Sequence, residues 1–201
     1  MPRPNATPVE KWALPASQAR SRATRGKLLA AAEKVFADKG YDGAKLSDIA
    51  EEAGVSVGAV YFRFKDKDAL FQAIAETFAE EVRARVASIT ASGAAEDVIR
   101  SFVLHTAAKM QVHRGLFRAI LERGFEADND TIFAVRDEFA AALERALGLK
   151  RGDLRVKVMT QMIYGFLIAG VLNRRAPTRI DDVRAIGELA GACIAYFRSA
   201  R

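Results

Sequence analysis

The chain has 201 residues, half of them apolar, and a formal net charge of +6, enough for one large or two modest domains with a sizeable core. A single cysteine, Cys193, excludes an intrachain disulfide and fits a reducing cytoplasm; in its apolar helical pattern it reads as a small core residue, with a redox sensor as the alternative. The N-terminus has no apolar stretch of the secretory kind, and the longest apolar run, 162–172, is shorter than the roughly 20 residues of a bilayer span, so a cytoplasmic protein without a membrane partner is expected.

In chain order, the first feature is charge. Residues 1–27 carry Arg3, Lys11, Arg20, Arg22, Arg25 and Lys27 against Glu10 alone, so most of the net charge sits there. A basic tail mixed with Pro, Ala and Ser predicts a flexible arm over 1–21, with a plain solvated tail as the alternative. An amphipathic helix follows over 24–39, with Leu28, Ala32, Val35 and Phe36 on one face. Gly40 stands where a helix-ending glycine is expected.

Residues 45–67 read KLSDIAEEAGVSVGAVYFRFKDK: two short helical patterns broken by one glycine. A helix-turn-helix crosses two helices steeply over a tight turn. Ala50 is the small residue at the crossing, and Gly54 supplies a turn with positive φ at no steric cost. Ile49, Ala53 and Val60 face inward. Ser56 is placed to cap a second helix whose first turns are 57–62. Such a helix enters the major groove of duplex DNA, and the basic N-terminal arm would then meet phosphate or the minor groove through Arg22 and Arg25. A further amphipathic helix opens near Lys67, with Phe71, Ile74, Phe78 and Val82 inward.

Over roughly 24–74 the chain resembles the TetR-like (tetracycline-repressor-like) transcription regulators. The residues that carry the resemblance are Phe36, Gly40-Tyr41, Asp48-Ile49-Ala50, Ala53-Gly54-Val55-Ser56, Gly58, Tyr61, Phe64, Lys67 and Leu70. Two positions depart from it. Lys45 stands where the family usually has a threonine that caps the first motif helix, so that cap must come from elsewhere. Arg63 stands where the family often has His or Tyr, which makes a phosphate contact there stronger and independent of pH. The resemblance implies an all-α chain: a helix-turn-helix DNA-binding domain at 22–68, then a helical bundle at 69–201 for regulation and dimerisation.

DNA contacts divide into those that position and those that read. Lys45, Ser56, Tyr61, Arg63 and Lys67 are the positioning candidates. Val57, Gly58, Ala59 and Phe62 are the reading candidates; they are nearly all apolar and suit thymine methyl groups, which leaves DNA shape and the arm a large share of the specificity.

The remainder shows no strand alternation. It predicts helices over 67–90, 95–112, 114–122, 129–147, 153–173 and 181–199, with breakers at Gly93, Gly124, Gly148, Gly152 and Pro177. Phe102, His105, Met110, Phe117, Ile120, Leu121, Met162 and Phe166 are candidates to line a cavity for an apolar or aromatic small molecule, although each is equally at home in a plain core. His105 and His113 have no ligand-spaced partners, so no metal site is expected. The last two helices carry small residues at Gly165, Ala169, Gly187, Ala190 and Gly191 among Ile186, Ile194 and Phe197. Interior glycine costs about 1 kcal/mol relative to alanine, and close helix approach would offset it. In the resembling family these helices form the dimer interface; packing within one subunit is the alternative.

No nucleophile elbow, P-loop, dinucleotide fingerprint or zinc spacing is present, so neither an enzyme nor a cofactor is expected. The resemblance implies a homodimeric repressor that binds a palindromic double-stranded operator and is released by a small apolar or aromatic effector. A regulator without a small-molecule ligand, or an activator, is the alternative.

Overall fold

The structure, a computed structural model, describes residues 16–88, 93–123, 130–172 and 176–200; the side chains of 16–20, 87, 88 and 172 lie outside that description. The described residues form nine helices and no strand: α1 (Ala16–Gly43), α2 (Leu46–Ala53), α3 (Val57–Tyr61), α4 (Lys67–Ser88), α5 (Ala95–Val112), α6 (Arg114–Arg123), α7 (Asp130–Ala146), α8 (Leu154–Leu172) and α9 (Val183–Ser199).

Helix α1 begins at Ala16, earlier than the apolar periodicity indicates. Residues 16–23 are small or polar residues that tolerate a helix, and they offer no apolar face from which a periodicity could be read. Arg22 and Arg25 therefore stand exposed on α1 itself. At its far end α1 is interrupted at Gly40, whose φ of 76° is outside the helical range.

A continuous core runs from Leu28 on α1 to Ile194 on α9. Leu28, Phe36, Ile49, Leu70, Phe71 and Ile74 are essentially inaccessible and join α1, α2 and α4. Burying each such side chain contributes roughly 1.5–3 kcal/mol. The richest packing is α6 on α1, followed by α5 on α9 and α4 on α7. Asp66 caps α4 by accepting the Ala69 N–H at 2.8 Å, and Asp182 caps α9 by accepting from Arg184 and Ala185 at 3.0 and 3.2 Å. Cys193 is fully buried, and burial pushes its thiol up to about 11, which makes it an unreactive core residue.

Helix α8 goes further than the apolar run at 162–172 indicates. The stretch Leu154–Val171 is long and apolar enough to cross a membrane by length and composition, and only 28% of it is buried in the subunit.

Candidate nucleic-acid interface and bundle cavity

The turn between α2 and α3 follows from Gly54. Its φ of 65° and ψ of 38° are left-handed, and they bring the Gly54 and Val55 N–H groups onto the Glu51 and Ala50 carbonyls at 3.1 and 3.0 Å. Both bonds satisfy carbonyls that the end of α2 would leave open. Lys45 is the residue before α2 and its side chain caps nothing; the Asp48 carboxylate instead accepts the Lys45 N–H at 3.1 Å. The hydrogen bond from Lys39 and then that from the Lys45 backbone hold the Asp48 carboxyl below the usual carboxylate range. The missing threonine cap is thus replaced from the other side of the same turn.

Ser56 caps α3 by accepting the Ala59 N–H at 3.2 Å, and Val60 is fully buried as the wedge against α2. With Val60 inward, the other face of this short helix is driven out. Val57 is 41% exposed, Tyr61 58% and Phe62 84%, which no isolated subunit would favour for such side chains. A Cβ added at Gly58 would meet nothing nearer than the Ser56 hydroxyl at 3.9 Å, so another molecule's backbone can approach there. Lys45 and Ser56 are exposed beside this face and Ala59 is half-buried. Arg63 folds back, donating from Nη1 to the Ala59 carbonyl at 3.2 Å, with its Nε buried and unpartnered. Lys67 donates from Nζ to the carbonyls of Tyr41 and Ala44 at 2.6 and 3.3 Å and lies 4.3 Å from the Tyr41 ring centroid. Two of its three N–H groups are therefore committed to closing the end of α1.

A second set of contacts joins this unit to the bundle. Gly115 lies so close to α1 that a Cβ there would overlap the Glu33 backbone carbonyl. The Glu33 carboxylate accepts the Leu116 N–H at 3.0 Å and lies 2.9 Å from His113 Nδ1. The other ring nitrogen of His113 lies 3.3 Å from Glu81 on α4, and Lys109 pairs with the same carboxylate. Burial alone would depress the His113 pKa, but the Glu33 hydrogen bond and then the Glu81 carboxylate outweigh it and leave it raised. Further along α6, Glu122 accepts the Tyr41 N–H at 2.5 Å and Arg118 donates to the Ala37 carbonyl at 2.8 Å. Arg123 pairs with Asp68, which also accepts the Tyr41 hydroxyl. Sequence reasoning reached none of these partnerships. Most of their members stand about eighty residues apart, and helical periodicity reports only local neighbours.

The other side of α6 faces a cavity of about 490 Å³ between α4, α6, α7 and α8. Phe117, Ile120 and Leu121 line it, with Phe78 from α4 and Ile132, Phe133, Val135 and Ala140 from α7. From α8 come Lys157, Thr160, Gln161, Tyr164, Gly165 and Ile168, and Arg136 and Asp137 complete the wall. The other effector candidates lie elsewhere. Phe102 stacks on Phe139 at 4.3 Å, His105 lies against the same ring with its Nε2 buried and unpartnered, Met110 is fully buried, and Met162 and Phe166 are half-buried on α8 away from this lining.

The dimer candidates separate by size. Ile186, Ala190 and Ile194 point into the subunit core. Gly165, Ala169 and Gly191 are exposed, Gly187 and Phe197 half-buried. A Cβ added at Gly165, Gly187 or Gly191 would meet nothing within 4 Å. Among the described residues no cluster of metal-binding side chains occurs.

Residues 28–74, the stretch that builds α2, α3 and their supports, match the family described as bacterial regulatory proteins, tetR family. The HTH-type transcriptional repressor AcnR of Corynebacterium diphtheriae is 36% identical over 81 residues, which span 40% of each chain. The HTH-type transcriptional regulator CymR of Pseudomonas putida is 30% identical over 162 residues, covering 81% of this chain and 71% of CymR. A tetR-family transcriptional regulator from Streptomyces coelicolor has the same fold, with a TM-score of 0.70 at 18% identity over 88% of this chain and 81% of its own. The chain belongs to the tetR family of bacterial regulatory proteins and is a DNA-binding transcriptional regulator, not an enzyme.

Proposed function

We propose that this regulator is a homodimeric repressor, acting in the cytoplasm on a palindromic operator, and that a small molecule in the bundle cavity releases it from DNA. One observation carries the ligand-controlled part. Helix α6 lines the cavity with Phe117, Ile120 and Leu121, and its opposite side, through Gly115, Arg118 and Glu122, is seated on α1. A ligand that displaces α6 moves α1 with it, and through Asp68 and Lys67 the start of α4. Tilting these helices alters the separation of the two α3 helices, which on a simple operator must match successive major grooves about 34–36 Å apart. The ligand must prefer the spread arrangement, because affinity that is equal for both states shifts nothing.

The α8–α9 surface supports the dimer. Glycines with open space around them are unexplained by packing inside the subunit, and α8 is too apolar for its exposure. In a chain of this family a second copy is the occupant that fits a flat face of small residues. Arg22, Arg25 and Lys45 supply phosphate attraction, and Lys67 and Arg63 hold the motif and offer their remaining donors to phosphate. Val57, Gly58, Ala59 and Phe62 meet base edges through thymine methyl groups and close backbone approach.

The test is a selection of genomic fragments on the purified protein at fixed salt, repeated with Tyr61→Ala. One enriched palindrome that Tyr61→Ala no longer retains, with the dimer mass unchanged in sedimentation, is the expected result. Salt-sensitive retention without a motif, or unchanged retention by Tyr61→Ala, overturns the reading.

A further inference from the structure

The cavity is graded in polarity. Lys157, Thr160, Gln161, Tyr164 and Ile168 follow one another at helical spacing on α8, and all line it. Over about 16 Å this stripe passes from a cation through hydroxyl and amide groups to an aliphatic side chain. The α6 wall opposite, Phe117 and Ile120, offers hydrocarbon only.

The polar groups are short of acceptors. The Thr160 hydroxyl is buried without a partner, a state that costs free energy until something accepts from it. Burial pushes the Tyr164 phenol up to about 12, so it remains a protonated donor. Arg136 is held on Asp137 at 2.9 and 2.8 Å, an exposed pair of neighbours that contributes little and exchanges readily. Lys157 is in no ion pair among the described residues; its Nζ stands 3.7 Å from where a Gly152 Cβ would be, at the end of the cavity that borders a second one lined by Glu138 and Glu144. Two cations therefore stand against one carboxylate, in a wall of otherwise neutral groups. A bare hydrocarbon would leave these donors unmet, and a cationic ligand would be repelled.

Resting on the ligand-controlled reading above, we propose that the effector is a small carboxylic acid with an apolar body. Its carboxylate lies toward Lys157 and Thr160, and its hydrocarbon lies against Phe117, Ile120 and Ile168. Charge-assisted hydrogen bonds fix the head, and burial of the body supplies the remaining affinity.

The test uses matched probes on the full chain by titration calorimetry: 2-naphthoate against 2-naphthamide, and decanoate against decanamide. Each acid that fits is expected to bind about tenfold or more tightly than its amide. Lys157→Met and Thr160→Val are expected to bring the acid down to the amide, with the melting temperature of the unliganded protein unmoved by the first and unmoved or raised by the second, which removes an unpartnered hydroxyl. A preference for the naphthoate identifies an aromatic acid, and a preference for the decanoate an aliphatic one; either supports the assignment. An amide that binds as well as its acid, or an acid indifferent to both substitutions, overturns the carboxylate assignment. If that amide still releases the selected DNA fragment, ligand control stands without it. A cavity that takes none of the four probes overturns the assignment and leaves ligand control without its site.

Discussion

Glycine occupies two places in this molecule for opposite reasons. At the seam between α1 and α6, Gly115 and Gly40 are required by the chain itself: a Cβ at Gly115 would overlap the Glu33 backbone carbonyl, and Gly40 holds a φ of 76° beside the Glu122 carboxylate. On the face of α9, Gly187 and Gly191 have open space around them, whereas the open space at Gly165 is the bundle cavity. The first set is a joint already closed, and its contacts can be named atom by atom. The second is a surface whose small residues are explained by no contact within the subunit, and the proposed dimer would cover it. The distinction separates what one subunit determines from what an assembly must supply.

The sharpest way to break this comparison is Gly191→Glu. On a twofold interface the substitution buries two unpaired charges, weakening the dimer by about 4 kcal/mol, or roughly a thousandfold. Sedimentation should show monomers, and the melting temperature of the subunit at low concentration should be unchanged. A stable dimer after this change would mean that α9 faces solvent. Gly115→Leu should do the reverse. Denaturant titration should show a loss of about 3 kcal/mol from overpacking against the Glu33 backbone.

Smaller effects sharpen the seam. Replacing His113 by Gln should remove about 1–2 kcal/mol, read as a lower denaturation midpoint at pH 6. The sign of its pH dependence follows from the raised pKa. The charged histidine between Glu33 and Glu81 stabilises the fold fully below the unfolded-state value near 6.5, and that contribution is lost as the pH rises through the folded pKa. Wild type should therefore lose stability between pH 6 and 8 relative to His113→Gln; a constant difference would show that the ring is neutral throughout. Ser56→Ala should have the least effect, about 1 kcal/mol from loss of the α3 cap, visible as faster amide exchange at Ala59.

Sequence reading recovered the DNA-binding unit well because its signals are local. Gly54, Ser56 and the inward Val60 lie within seven residues of one another, and each performs the backbone or packing task its residue type suggests. The α1 extension before residue 24 was invisible because it lacks an apolar face. In the bundle, periodicity gave the helices but not their neighbours. It could not distinguish Phe117, which lines the cavity, from Phe102, which stacks on Phe139. Both are apolar residues at core spacing, and only the packing of α6 against α7 and α8 separates them. The polar side of the cavity was largely missed for the same reason: Thr160 sits just before an apolar run and becomes informative only once its hydroxyl is seen to be enclosed.

The contact of α6 with α1 leaves no side chain between the two backbones at Gly115. A layer of side chains would absorb small displacements by changing rotamers; bare backbone cannot. If a ligand acts through the cavity as proposed, sensing and output are joined by a stiff linkage, with chemical selectivity on the far side of the same helix. Residues around Phe117 and Ile120 can be exchanged to recognise a different molecule without redesigning how the message leaves the bundle. On that reading the chain is, in engineering terms, a transducer with a replaceable front end, and the part to leave untouched is the smallest residue in it.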